Sequence, residues 1–136
     1  MSRFFVDTFY LIALSDHRDQ WHQRVVAFSR AHEDAGLFTV DEVLAEFLTF
    51  CSPAGVHIRA SAARTVRQTL THPQWTVNPQ SRTSLLDALT LYEARPDKEY
   101  SLTDCISMQT MRREGLTEVL TNDHHFTQEG FHILFL

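Results

Sequence analysis

The chain has 136 residues, 43% hydrophobic and 21% charged, with 17 acidic against 12 basic residues and a net charge of −5. That length suits one domain spanning residues 1–136, with a core of its own, and no apolar run reaches the length of a membrane span. The acidic balance speaks against a nucleic-acid binder working by charge alone, but not against an enzyme whose acidic pocket takes up a cation, because a bound cation inverts the local field.

The N-terminus runs from a short apolar stretch, Phe4-Phe5-Val6, straight into Asp7. It lacks the apolar core of a secretory signal. Residues 4–6 read as a buried strand, and residues 8–15 as a helix for which Asp7 is a natural N-cap. A polar break at Asp16-His17-Arg18-Asp19 precedes an amphipathic helix over 20–32, with Trp21, Val25 and Phe28 on one stripe. Residues 37–40 form a second strand. The helix expected over 41–50 turns Val43, Leu44, Phe47 and Leu48 inward, with Cys51 just beyond it.

The turn Ser52-Pro53-Ala54-Gly55 leads into a long helix over 56–70 carrying Arg59, Arg64 and Arg67. Pro73 follows it, then a third strand over 75–77 and a helix over 82–94. After the loop at 95–99, a helix over 101–114 ends before Gly115, a residue suited to the position beyond a helix C-terminus. Strands over 118–121 and 132–135 complete the chain. Strands alternate with helices and no Asn-Gly or Asp-Gly hairpin turn joins neighbours, which predicts an α/β domain with a mostly parallel five-stranded sheet covered by helices on both faces.

Four acids stand out. Asp7 ends the first strand, Glu46 lies one turn into the helix after the second, Asp104 opens the helix feeding the fourth, and Asp123 follows the fourth. Ligands of open α/β sheets bind beyond the carboxyl ends of the strands, so the pattern puts all four at one end. A half-buried carboxylate is unfavourable unless neutralised, and one or two divalent cations would serve all four. Each acid also has a purely structural reading. Asp7 can cap a helix, Asp104 stands at capping-box spacing from Ser101, Asp123 lies in a turn, and Glu46 can face water. Four unrelated caps have no reason to share one sheet end.

Other residues read as scaffold. Asp41 and Glu42 suit the first turn of a helix, where acids favour the macrodipole; Asp87, Asp97 and Glu99 read as solvated, and so do Arg112 and Arg113 late in their helix. Cys51 and Cys105 lie in no CxxC and read as reduced core thiols of a cytoplasmic protein. The eight histidines form no HExxH and pair with no CxxC. Adjacent His124 and His125 suit a surface or supporting role rather than joint chelation. There is no glycine-rich phosphate loop and no GxSxG, and Asp7-Thr8-Phe9 lacks the second Asp of an aspartyl-phosphate phosphatase. If the site cleaves nucleic acid, the helix bearing Arg59, Arg64 and Arg67 is the first choice for phosphate contacts.

Taken in order, these segments resemble the PIN-domain ribonucleases, most closely the VapC-type toxins of toxin–antitoxin pairs. The resemblance rests on Phe5-Val6-Asp7-Thr8, Asp19-Gln20-Trp21-His22, the run from Thr39 to Glu46, Tyr100-Ser101-Leu102-Thr103-Asp104-Cys105-Ile106-Ser107, and Val119-Leu120-Thr121-Asn122-Asp123-His124-His125-Phe126. Asn122 departs from the aromatic or aliphatic residue common there.

The resemblance implies Asp7, Glu46, Asp104 and Asp123 as catalytic and metal-binding residues, with Thr8, Ser101 and Thr121 supporting them by hydrogen bonds. It further implies Mg²⁺ or Mn²⁺ dependence, an RNA substrate cut to 5′-phosphate and 3′-hydroxyl ends, homodimers, and inhibition by a small antitoxin protein. Two other readings remain open at this stage. One is a non-toxin PIN nuclease of RNA maturation or structured DNA, which a small upstream reading frame for an antitoxin would argue against. The other is a non-catalytic metal-binding or regulatory α/β domain, which binding of divalent ions without cleavage would favour.

Overall fold

The computed structural model describes residues 2–136; Met1 lies outside the described residues. The sheet consists of β1 (Arg3–Val6), β2 (Gly36–Val40), β3 (Trp75–Asn78), β4 (Glu118–Leu120) and β5 (His132–Ile133), in spatial order β3-β2-β1-β4-β5. All neighbouring pairs are parallel. The helices are α1 (Thr8–Ser15), α2 (His22–Ala31), α3 (Asp41–Cys51), α4 (Val56–Thr71), α5 (Arg82–Ala94), α6 (Leu102–Glu114) and α7 (His124–Gln128), with a 3-10 turn at Ser52–Ala54.

In β1 the consecutive residues Phe4, Phe5 and Val6 are all buried. Since successive strand residues face opposite sides, helices must cover both faces of the sheet. The chain steps outward from β1 through β2 to β3, then returns to the other side of β1 for β4 and β5. The order therefore reverses between β1 and β4, and the crevice outside the strand ends at such a switch point is where open α/β sheets bind ligands.

Local chemistry sets several boundaries. Helix α2 starts at His22 rather than at residue 20, because Asp16 and Asp19 accept hydrogen bonds from the backbone N–H groups of Arg18 and Trp21 and hold the preceding residues in turns. Helix α6 ends where Gly115 takes a left-handed conformation (φ 69°) and the N–H of Leu116 reaches back to the Met111 carbonyl at 2.8 Å. Strand β5 is shorter than expected. Beyond Ile133 the chain bends, though the Leu134 and Phe135 N–H groups still donate to the Val119 and Thr121 carbonyls at 3.1 and 3.2 Å, and buried Phe135 packs among Phe9, Tyr10, Trp21 and Phe28. Helix α7 is not among the elements expected from the sequence: beyond the turn at Asp123 the chain winds into a five-residue helix capped by the Asp123 side chain. Cys51 and Cys105 are buried free thiols, as expected.

Candidate functional site

Asp7, Glu46, Asp104 and Asp123 line one open cleft of about 660 Å³, shared with Thr8, Phe9, Ile12, Thr121, Asn122, His124, His125 and Gln128. The four acids come from four segments that meet at the switch point. Among the described residues no lysine or arginine lines this cleft.

Asp7 follows β1 directly and occupies the N-cap position of α1, but its carboxylate makes no capping bond to that helix. It turns instead toward the end of β4, where the Thr121 hydroxyl donates to Asp7 Oδ2 at 2.8 Å. Burial pushes the Asp7 carboxyl up to about 7. Hydrogen bonds from Thr121 and the Thr8 backbone pull the other way but fall short, and the charges of Asp104 and Glu46 add to the rise. Glu46 accepts a hydrogen bond from the Thr8 hydroxyl, so the first residue of α1 orients a carboxylate of α3.

Asp104 is both cap and site residue. The Ser101 hydroxyl accepts from the Asp104 N–H at 3.0 Å, and the Ser101 N–H donates to Asp104 Oδ2 at 3.1 Å, a complete capping box. Burial again raises the Asp104 carboxyl, opposed by the Ser101 N–H, while the nearby Asp123 charge adds to the rise. Asp123 caps α7 through the His125 N–H, 2.9 Å from Oδ1, and its own N–H donates to Thr121 Oγ1 at 3.2 Å. Thr8 and Ser101 thus each bond to one of the acids, and Thr121 to two, Asp7 and Asp123.

The adjacent histidines diverge. His124 is exposed, whereas half-buried His125 places Nδ1 3.4 Å from Asp104 Oδ2 and 3.5 Å from Asp123 Oδ1. Asp104, Asp123 and His125 offer ligand atoms all within 4.8 Å of one another. Sequence alone assigns His125 only a surface or supporting role. The Asp-x-His spacing at a helix start is the signal that would have singled it out.

Arg59, Arg64 and Arg67 are exposed on α4 and do not line the cleft; Arg59 braces the preceding turn by donating to the Ser52 carbonyl at 3.1 Å. Asp41 and Glu42 lie in the first turn of α3, and Asp41 also accepts from the Gln80 N–H at 2.9 Å, joining α3 to the loop before α5. Arg112 and Arg113 are not merely solvated: Arg113 pairs with Asp87 at 3.2 Å and Arg112 with Glu129 at 2.7 Å.

Glu129, which the sequence did not bring forward, has only 4% of its side chain exposed. Burial alone would raise its carboxyl, but hydrogen bonds from Arg95, Arg112 and Tyr100 outweigh this and hold it down at about 2.

The sequence matches the PIN domain family over residues 4–131. The chain belongs to that family. The PIN fold here is shared with several solved structures. The Mycobacterium tuberculosis VapC20, a sarcin–ricin loop cleaving toxin, superposes with a TM-score of 0.82 at 24% identity, covering 94% of this chain and 95% of its own. FitAcB from Neisseria gonorrhoeae gives a TM-score of 0.67 at 17% identity over 97% of this chain and 96% of that one. VapBC2 from Rickettsia felis, bound to a DNA fragment from the promoter, gives 0.66 at 10% identity over 97% of both chains. A sequence search of curated proteins gives no match.

Proposed function

We propose that this PIN domain is a divalent-metal-dependent endoribonuclease, the toxin of a type II toxin–antitoxin pair. The observation that carries the reading is the convergence of Asp7, Glu46, Asp104 and Asp123 on one cleft with no basic side chain lining it among the described residues. A carboxyl that burial and two neighbouring acids push to about 7 is a group in want of a cation. Hard carboxylate oxygens suit Mg²⁺ or Mn²⁺, and a single imidazole among them is compatible with either.

On this reading Asp7, Asp104 and Asp123 hold the metal, and Glu46 ligates it or orients the attacking water. An ion held there would supply an acidified water and offset charge developing on the phosphate. The chain's own groups fix the geometry beforehand. Thr121 holds one oxygen of Asp7, Thr8 holds Glu46, and the Ser101 capping box holds Asp104. Such outer bonds orient ligands and tune their basicity. Glu46, held by Thr8, is placed to take the proton of a water attacking phosphorus. Breaking of the bond from phosphorus to the 3′ oxygen, which takes up a proton from solvent water as it leaves, then gives 5′-phosphate and 3′-hydroxyl ends.

The similar solved structures favour RNA and an antitoxin as partners. VapC20 is described as cleaving the sarcin–ricin loop, and the Rickettsia felis protein was solved as a VapBC complex. A small antitoxin, self-association as a homodimer and a cytoplasmic location complete the proposal. Among the described residues no helix is long and apolar enough to cross a membrane. The phosphate contacts fall to Arg59, Arg64 and Arg67 on the exposed face of α4. The test is cleavage of total RNA with Mg²⁺ and with chelator, mapping the ends, beside Asp104→Asn. Metal-dependent cuts that vanish in the variant support the assignment; equal cleavage in chelator, or by the variant, refutes it.

A further inference from the structure

Asp104 lies in the first turn of α6 and Asp123 caps α7, and something must set the gap between them. Tyr100 touches both. Its backbone immediately precedes Ser101, the cap of α6 that also binds Asp104. Its ring lies against the His125 ring with centroids 5.3 Å apart, tilted by 58°. Its hydroxyl donates at 2.9 Å to Oε2 of Glu129, the residue that closes α7. Glu129 in turn is held by Arg95 at 2.8 Å and by Arg112 at 2.7 Å, and Arg112 also reaches the Glu129 carbonyl at 3.3 Å. The buried Tyr100 side chain is therefore fixed at its tip by a clamped carboxylate and offers an aromatic face to an imidazole that faces both Asp104 and Asp123.

We propose that Tyr100, anchored by the Arg95–Arg112–Glu129 clamp, is a positioning residue that fixes His125 and, through it, the spacing of Asp104 and Asp123. The inference rests on the metal-site reading above. The ring decides where the imidazole lies, and the hydroxyl decides where the ring lies. Removal of the ring then loosens the pair more than removal of the hydroxyl. Partners of this kind change metal affinity by roughly 10- to 100-fold when lost.

The test is calorimetric titration of the full chain with Mn²⁺ alone, on wild type, Tyr100→Phe, Tyr100→Met, His125→Ala and the Tyr100→Met/His125→Ala double variant. Loss of the hydroxyl anchor is expected to weaken Mn²⁺ binding about 3-fold, and loss of the ring about 10-fold or more. Because Tyr100 acts through His125, the double variant is expected to bind within about 2-fold of His125→Ala. In cleavage assays Tyr100→Met is expected to lower kcat and leave KM for RNA unchanged. Wild-type affinity in Tyr100→Met, or effects of the two substitutions that simply add, overturns the proposal. If Tyr100→Met does not fold, Tyr100→Phe decides, and wild-type affinity there overturns it.

If the wild type itself binds no Mn²⁺, the metal reading falls, and proton NMR of the metal-free protein judges the positioning. Cross-relaxation between the His125 ring and the Asp104 β-protons is expected in wild type and lost in Tyr100→Met, or weakened in Tyr100→Phe. Its persistence at full strength in the variants overturns the claim.

Discussion

Replacing Asp7 by Asn is expected to make the metal-free protein more stable while removing its activity. The Asp7 carboxyl sits at about 7 in the folded protein against 3.8 for an ordinary aspartate. A raised carboxyl value means that the ionised group opposes folding. The penalty is present in full above pH 7 and fades as pH falls toward 3.8. A displacement of this size corresponds to about 4 kcal/mol. An Asn side chain keeps an oxygen to accept the Thr121 hydroxyl, so most of that relief should survive as about 2–4 kcal/mol at pH 8. At pH 5 the wild-type penalty has fallen to less than half, and the advantage of the variant shrinks with it.

The assay is thermal melting in chelator and in Mg²⁺. For a domain of this size each kcal/mol moves the melting temperature by about 3–5 °C, so Asp7→Asn should melt roughly 6 °C or more above wild type in chelator at pH 8. Added Mg²⁺ should reverse the order of response. Wild type gains about 1.4 kcal/mol at ten times its Kd, while the variant gains almost nothing. An Asp7→Asn protein that melts at or below wild type in chelator at pH 8 would refute the reasoning, because the site would then hold no frustrated anion.

Asp104→Asn should lower kcat by at least about 100-fold, the scale expected when the charge holding a catalytic ion is lost, yet leave stability within about 1 kcal/mol because the amide oxygen still accepts from Ser101; gel-based cleavage and melting check both. Thr121→Val should cost about 1–2 kcal/mol, since it strips the buried partner of Asp7, and weaken Mn²⁺ binding about 10-fold by calorimetry. Glu129→Gln should destabilise the chain at pH 7 by about 2 kcal/mol. The displacement from 4.5 to about 2 corresponds to about 3 kcal/mol, trimmed by screening around the half-exposed arginines. Because this carboxyl is depressed, its contribution is whole above pH 4.5 and disappears as pH falls toward 2, so the melting curves of variant and wild type should converge in acid. Arg64→Glu/Arg67→Glu should raise KM for RNA several-fold with kcat unchanged and flatten the dependence of binding on salt.

The frame of the molecule was legible because its strands are short apolar runs and its helices carry clear punctuation. Phe4-Phe5-Val6, the Pro and Gly breaks around α4 and the Gly115 stop announce themselves locally. The placement of Asp7 and Asp123 followed from strand ends alone, since a residue at the carboxyl end of a parallel strand has one place to go. What escaped was decided by contacts between distant residues. Helix α7 is too short to show a periodic pattern. The burial of Glu129 depends on Arg95, Arg112 and Tyr100, which lie 34, 17 and 29 positions away. The arginines of α4 were grouped by helical spacing, which fixes a shared face but not what that face overlooks.

The structural and functional readings of the acids turn out not to compete. A carboxylate has two oxygens and about four lone-pair sites, so one can serve a helix end while capacity remains for a cation. Asp104 closes a capping box and still faces His125 from the cleft wall. Asp123 caps α7 through Oδ1, and that cap is also what aims the His125 backbone and ring toward the other acid. Asp7 is the exception that explains the rule. It stands in a cap position but makes no cap, gives an oxygen to Thr121 instead, and is the acid driven to about 7. Helix starts thus position Asp104 and Asp123, the second turn of α3 carries Glu46, and all three remain partly open to water. The strain of the cluster is shared with Asp104 but is greatest on Asp7, the acid that the central strand buries, and the affinity of the site for a cation should depend on Asp7 more than on any other member.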